Sequence, residues 1–422
     1  MINIIETMAN FTSVKIMQKS MKSSLDIKYI ENPVEYKFDK NKSYFLYMHI
    51  PFCQEFCTFC TFHKFKYEDN KCKAYFKTLK AELLKAKEQG FQFHTLYIGG
   101  GTPLIDEGEL IQLIELAKKL FDIKEVSCES TPSHIDPKVI KNFDGLIDRL
   151  SIGVQTFDDQ TLKDISRYDK YGSSEILQER LSNIIGTIPV TSLDLIFNLA
   201  GQTPEMLRND LEIAKKLKAE QITTYPLMSS QLANVSILEH LKILKNSKEY
   251  DFYNIIREEL SDYSLNNAWS FSKDNTNMTD EYTVNNSEYI GLGSGGFTYI
   301  DNQLFINAYD LNQYDKMINE NSNAIIALSS KFTPKKQIQY QFLLHLFGGT
   351  LDIEKFNSLF NVSVESVLRV ELFMMKSINA IYIKDGIIYP TRFGEFITVV
   401  MMREFYTGMD NIRSMLRKSI IE

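Results

Sequence analysis

From residue 44 onward, short apolar runs alternate with stretches whose apolar residues recur at helical spacing. Residues 44–50, 94–98, 125–130, 149–155, 190–197 and 221–228 read as strands, and 70–88, 107–121, 137–143, 173–185 and 204–219 as helices, with Gln202 or Thr203 at the cap of the last. The apolar runs of these strands suit a parallel sheet covered on both faces. Regular alternation of this kind predicts an α/β architecture, either a doubly wound sheet or a barrel. In both, sites form beyond the C-terminal ends of the strands. The informative polar residues fall there: a cysteine-rich loop after the first strand, a glycine run after the second, Glu129 ending the third, Gln155 ending the fourth and Asp194 within the fifth.

Past Leu232 the pattern changes. A helical stretch at 237–263 leads to a strand at 269–271, then to Gly291-Leu292-Gly293-Ser294-Gly295-Gly296 and a polar helical segment. From about Thr333, helices at 336–346, 353–359 and 364–378 precede a strand pair, 381–384 and 387–390, joined by an Asp385-Gly386 hairpin turn, and a last helix at 393–405. Helices, hairpin, helix is the layout of a winged-helix module. The expected organisation is an N-terminal extension (1–40) packed on a main body (41–325), followed by a small α+β domain (330–422).

The net charge of −7 is spread without a basic block, which argues against nucleic acid as the main partner. No apolar run approaches a membrane span. Residues Met1 to Glu6 lack the basic region, apolar stretch and small-residue site of a secretory signal. The expected compartment is the cytoplasm.

In that setting five cysteines point to metal or redox chemistry more than to disulfides. Cys53, Cys57 and Cys60 form a C-x3-C-x2-C loop. Structural zinc takes four ligands, commonly from two close pairs, and neither Cys72, on an expected helix, nor Cys128, in an expected buried strand, stands at ligand spacing. Three thiolates can instead hold three irons of a four-iron cubane and leave the fourth open to bind and polarise a small molecule. The Gly291–Gly296 run lacks the Lys-Ser/Thr of a phosphate loop. His49 and His63 flank the cysteines, and both are read as packed or surface residues, not iron ligands.

Tyr47-Met48-His49-Ile50-Pro51-Phe52-Cys53, the two later cysteines and Gly99-Gly100-Gly101-Thr102-Pro103 resemble the radical SAM superfamily. The branch they resemble is that of oxygen-independent coproporphyrinogen III oxidase and its heme-chaperone relatives (HemN/HemW). Further matches are Glu129-Ser130-Thr131-Pro132, the stretch from Arg149 to Phe157 and the stretch from Leu193 to Pro204, so the likeness runs over roughly residues 40–420. The resemblance implies a partial (βα)6 TIM-like barrel with a HemN-type C-terminal domain. It also implies a [4Fe-4S] cluster on Cys53, Cys57 and Cys60 that binds S-adenosylmethionine and reduces it to methionine and a 5′-deoxyadenosyl radical. The electron would come from a flavodoxin or ferredoxin.

Around that cofactor, Tyr47 and Phe59 would either face the adenosyl group or pack the strand and loop that carry them. Gly100, Gly101 and Thr102 would let backbone approach the methionine end. Glu129 would accept hydrogen bonds from a ribose or amino group, or else act as a cap or surface charge. Gln155, Arg167 and Asp194 resemble positions that bind a second S-adenosylmethionine, with a solvated helix charge the alternative for Arg167.

The chain departs from the family in two places. Where the oxidase carries a further cysteine, this sequence has Phe62, as the chaperone relatives do. The His-Asn-x-x-Tyr-Trp signature of the chaperone branch is replaced by the run Ser272 to Tyr282, which holds no histidine. The resemblance therefore implies an oxidoreductase acting on a tetrapyrrole, with a heme-carrying trafficking protein or a methyltransferase using two S-adenosylmethionines as the alternatives.

Overall fold

The computed structural model describes residues 26–228, 248–273 and 288–418. The predicted N-terminal extension up to residue 25, residues 237–247 of the 237–263 helical stretch and nearly all of the segment that replaces the heme signature lie outside the described residues.

Among the described residues one thirteen-stranded sheet organises the chain. Its centre is parallel and runs β2 (Ser43–Ile50), β5 (Gln92–Gly100), β6 (Glu125–Ser130), β7 (Arg149–Gln155), β8 (Val190–Phe197) and β9 (Gln221–Pro226). These are the six predicted strands, the first five each followed by helix: Asp69–Gln89 after β2, Glu107–Leu120 after β5, Pro137–Lys141 after β6, a broken set through Ser174–Ser182 after β7, and Pro204–Lys216 after β8. The curved, open sheet with helices outside is a partial TIM-like barrel. Its strands are buried almost throughout, as Leu46, Ile98, Cys128, Ile152 and Leu193 show. Their apolar runs form the core of the molecule. Helix ends follow local chemistry. The Asp106 and Thr203 side chains accept from the N–H groups of Glu109 and Met206, and Pro204 opens its helix at a position where no donor is lost.

Both edges carry antiparallel strands. β10 (Ser264–Asn267) and β11 (Ser270–Ser272) extend the sheet past β9. On the other side β12 (Tyr289–Leu292) lies parallel to β2, and β13 (Phe297–Ile300), β14 (Gln303–Asn307), β15 (Ile325–Ser329) and β1 (Ile27–Tyr29) follow in antiparallel order. The predicted polar helical segment after the glycine run is thus only partly helix, at Leu311–Glu320, and is preceded by a hairpin. Its turn is Asp301-Asn302, with φ of 49° and 59°. Two adjacent polar residues able to adopt left-handed backbone favour the tight type I′ connection.

The last quarter holds helices Pro334–Phe347, Ile353–Phe360, Val364–Val367 and Arg369–Ser377 around a three-stranded sheet of β16 (Leu351–Asp352), β18 (Ile387–Pro390) and β17 (Ile381–Lys384). The helix predicted at 364–378 is interrupted at Leu368. Phe342, Leu351, Phe356, Leu372 and Ile388 make a second, smaller core. The final helix runs Arg392–Lys418, well beyond the predicted 393–405, and packs on the main core through Phe396, Val399, Val400 and Met409. Among the described residues no helix is long and apolar enough to cross a membrane.

Candidate functional site

The site is assembled from strand ends. β2 ends at Ile50, and Pro51 prevents it from continuing as paired strand. The chain re-pairs at once: β3 (Phe52–Cys53) lies parallel to β4 (Phe65–Lys66), and Tyr67 N–H donates to the Cys53 carbonyl at 2.9 Å. Residues 54–64 are therefore pinched off as a loop. Within it Cys60 N–H reaches the Cys57 carbonyl at 3.4 Å, and Lys64 Nζ donates to the Cys60 carbonyl at 2.7 Å.

All five cysteines are unbridged; Cys53 is buried, and Cys57 and Cys60 are half-buried. Cys72 and Cys128 are fully buried, one in the first helix and one on β6, and take no part in the loop. Burial pushes the Cys53 and Cys57 thiols up. The strongest opposing influence on Cys53 is the Thr102 hydroxyl, 3.7 Å from its sulfur, and on Cys57 the Arg167 charge. Among the described residues no three His, Cys, Asp or Glu side chains converge as they would on a single ion. A cubane makes no such demand, since each cysteine meets a different iron. Three unbridged thiols on one short loop, with cationic groups facing them, fit such a cluster.

The glycine run ends β5 directly beside this loop. Gly101 N–H donates to the Ile50 carbonyl and Thr102 N–H to the Phe52 carbonyl, both at 2.8 Å. Gly100 has φ 122°, a region closed to most side chains, and a Cβ there would meet the His49 ring at 2.7 Å. A Cβ on Gly101 would stand 2.5 Å from the Phe52 carbonyl oxygen. The glycines are therefore required first by the approach of the cysteine strand to its neighbour, a reason the sequence reading did not contain.

Glu129, at the end of β6, accepts from Gly100 N–H at 2.9 Å and Tyr97 OH at 3.0 Å. Burial raises its carboxyl to about 7 against these two donors, with nearby Asp194 adding to the rise. It is neither a helix cap nor a surface charge. Asp194 sits in mid-strand on β8, level with Gly153 of β7, and accepts from Ser151 Oγ at 2.8 Å and Ser192 Oγ at 3.1 Å. Gln155 is a non-glycine residue at φ 76°, where the β7–β8 register slips. Strained backbone of this kind persists where the surroundings fix it, often beside a working site.

Arg167 is not a solvated charge. It is 6% exposed, at the start of the short helix Tyr168–Tyr171, with its guanidinium 5.4 Å from the Phe59 ring centre and 4.8 Å from that of Tyr171. Its Nε and Nη1 are buried without a hydrogen-bond partner. Phe59 packs near Ile165, Ile196 and Leu199. Tyr47 is buried in β2 with its hydroxyl 2.8 Å from His49 Nδ1. His49 Nε2 contacts the His63 carbonyl at 2.9 Å, and His63 Nε2 contacts Ser294 Oγ at 2.9 Å, so of the two readings both histidines are packed, not surface, residues. The Gly291–Gly296 run, between β12 and β13, backs onto them.

The fold thus draws Cys53, Cys57, Cys60, Phe59, Gly100–Thr102, Glu129 and Arg167 around one strand-end cleft, with Gln155 and Asp194 on the adjoining strands and Tyr47 beneath. Sequence reasoning missed Lys170 and His134. Lys170 is half-buried, and its charge bears on Cys57 and Cys53. His134 is held near 4 by burial and by Lys170. A basic residue three positions after Arg167 was the available signal for the first; nothing marked the second.

The barrel carries a three-cysteine loop after its first parallel strand, and residues 47–212 match the family model "Radical SAM superfamily". The chain carries a radical SAM domain. It is similar to the heme chaperone HemW of Lactococcus lactis, 29% identical over 345 residues that cover 76% of this chain and 86% of that protein. It is likewise similar to HemW of Bacillus subtilis, 28% identical over 65% of this chain and 76% of that one. The oxygen-independent coproporphyrinogen III oxidase of Helicobacter pylori (strain 26695) is 27% identical over 78% of each chain. The solved structure of coproporphyrinogen III oxidase (HemN) from Escherichia coli superposes with a TM-score of 0.70 at 20% identity, over 86% of this chain and 90% of that one, and so shares its fold.

Proposed function

We propose that this chain is a [4Fe-4S] radical SAM enzyme of porphyrin or heme metabolism. The observation that carries the reading is a loop of three unbridged cysteines whose first, Cys53, meets Thr102 of the glycine run, while Gly100 of that run is held by Glu129 at the next strand end. When bound, the cluster supplies one electron to the sulfonium of S-adenosylmethionine, giving methionine and a 5′-deoxyadenosyl radical.

The protein's share is holding, orienting and shielding. Cys53, Cys57 and Cys60 would hold three irons. The N–H groups of Gly100, Gly101 and Thr102 are already taken and the Thr102 carbonyl accepts from Ile105 N–H, so the run would offer the carbonyl oxygens of Gly100 and Gly101, acceptors suited to an ammonium group. Glu129, fixed by two donors, would accept from the cosubstrate. Arg167 brings a buried guanidinium with unused donors, fitted to a carboxylate. Phe59 presents a ring and Tyr47 closes the floor. Gln155 and Asp194, further along the sheet, would serve a second S-adenosylmethionine.

Relatives named as oxidases and as heme chaperones both support a tetrapyrrole as substrate or cargo. A heme-carrying role is favoured by one observation, Phe62 in the position where the oxidase branch has cysteine. Anaerobic reconstitution with iron and sulfide, followed by EPR of the dithionite-reduced protein, tests the cluster. Wild type should take up about four irons and Cys57→Ala should lose the signal. A variant with the wild-type spectrum would defeat the assignment.

A further inference from the structure

The residues just after the third cysteine are gripped by the far end of the chain. Thr61 is 8% exposed, and its hydroxyl donates to Asp410 Oδ2 at 2.5 Å. Asp410, 3% exposed, takes Arg413 Nη1 on its other oxygen at 2.5 Å. The Arg413 guanidinium in turn lies 5.7 Å from the Phe62 ring centre and 5.0 Å from that of Phe297, on the strand that follows the glycine run. Phe62, the residue that separates this chain from the oxidase pattern, is thereby given a contact, although 45% of it stays exposed.

The helix that carries Asp410 and Arg413 is fixed along its length. Glu395 accepts from Arg257 Nε at 2.9 Å, Phe396 packs on Tyr250, Arg403 pairs with the buried Glu249, and Tyr406 packs on Trp269. Its far end is therefore delivered to the loop by a rigid element, and the charged pair it brings is enclosed, where it acts far more strongly than at a surface. On the other side of the loop, His63 meets Ser294.

We propose that Asp410 and Arg413 are positioning residues: with Thr61 and Phe62 they form a clamp by which the C-terminal helix sets the geometry of the cysteine loop and its grip on the cluster. The inference rests on the cluster reading above. Partners that orient metal ligands from outside the coordination sphere commonly change metal retention by about ten- to a hundredfold. The clamp makes two specific demands. Removing either end of the Thr61–Asp410 bond must loosen the cluster, and removing both must do no more than removing one.

The test uses the full-length, anaerobically reconstituted protein. Iron release to a ferrous chelator is timed for wild type, Asp410→Ala, Thr61→Val and the double variant, and EPR spectra of the reduced clusters are recorded. Each single variant should release iron about tenfold faster with shifted g-values, and the double should match the faster single. Release within about twofold of wild type with unchanged g-values, or fully multiplicative effects in the double variant, would overturn the clamp. Should Asp410→Ala fail to fold, Thr61→Val carries the same test, because it leaves the Asp410–Arg413 pair intact. A wild-type chain that takes up no cluster would overturn the functional reading and the clamp with it; a stable cluster indifferent to these changes would overturn the clamp alone.

Discussion

Substituting Gly101 by alanine tests how closely the cysteine strand must approach the glycine run. The added Cβ would lie 2.5 Å from the Phe52 carbonyl oxygen and 2.9 Å from the Phe52 nitrogen and carbonyl carbon. These are backbone atoms and cannot rotate aside, so the strands must separate. That movement strains two hydrogen bonds of 2.8 Å, from Gly101 N–H to Ile50 and from Thr102 N–H to Phe52. Overpacking in a well-filled core costs about 1–3 kcal/mol, and each strained hydrogen bond adds roughly 0.5–1.5 kcal/mol if lost. Gly101→Ala should therefore destabilise the cluster-free chain by about 2–6 kcal/mol. It should also reduce cluster uptake, because Phe52 is covalently joined to Cys53. Gly108 supplies the control. It lies in the helix Glu107–Leu120, and a Cβ there meets nothing closer than 3.9 Å. Gly108→Ala should stabilise by up to about 1 kcal/mol and leave uptake unchanged. Urea unfolding of the apo chains and iron content after reconstitution are the readouts. If Gly101→Ala unfolded at the wild-type midpoint with full iron content, the packing argument would be refuted.

The remaining predictions concern buried polar groups. Asp210, 1% exposed, accepts from Phe157 N–H at 2.7 Å and Thr156 Oγ1 at 2.8 Å, so Asp210→Ala should cost about 2–4 kcal/mol in urea unfolding. Glu82 is buried under the Gly291–Gly296 loop, accepts from Gly293 N–H, Asn307 and Tyr314, and is raised by burial from 4.5 to about 7. As pH rises from 4.5 to 7 the unfolded chain releases this proton before the folded chain does. The side chain therefore favours folding less and less across that window, by an amount on the order of 3 kcal/mol in total. Glu82→Gln should lose correspondingly less stability between pH 5 and pH 7.5, and parallel pH profiles for the two proteins would count against the shift. Arg167→Lys and Arg167→Met should both keep the cluster and bind S-adenosylmethionine at least about tenfold more weakly, because a lysine cannot reproduce a guanidinium packed between Phe59 and Tyr171. Equilibrium binding to reconstituted protein checks this.

The parallel half of the sheet was legible because its strands are buried on both faces and rich in apolar residues, as at Tyr44 to Ile50, where His49 alone interrupts the run. Strands β12 to β15 were less legible. Phe297 to Ile300 and Gln303 to Asn307 are short and partly polar, and the Asp-Asn turn between them is a weaker signal than a glycine turn. The cysteines and the glycine run announced themselves by spacing. Burial did not: nothing local separates Arg167, which is enclosed, from a basic residue on a solvated helix. The Thr61–Asp410 contact joins residues 349 positions apart, and no local pattern could reveal it.

The most direct test of the central claim is the yield of 5′-deoxyadenosine. Reconstituted protein is incubated anaerobically with dithionite and S-adenosylmethionine, with and without heme or coproporphyrinogen III, and the product is quantified beside the Cys57→Ala variant. A radical SAM enzyme should form 5′-deoxyadenosine well above the variant's background, with more in the presence of its tetrapyrrole. Background yield under every condition, together with tight uptake of heme, would contradict the enzyme reading and leave the chain as a carrier.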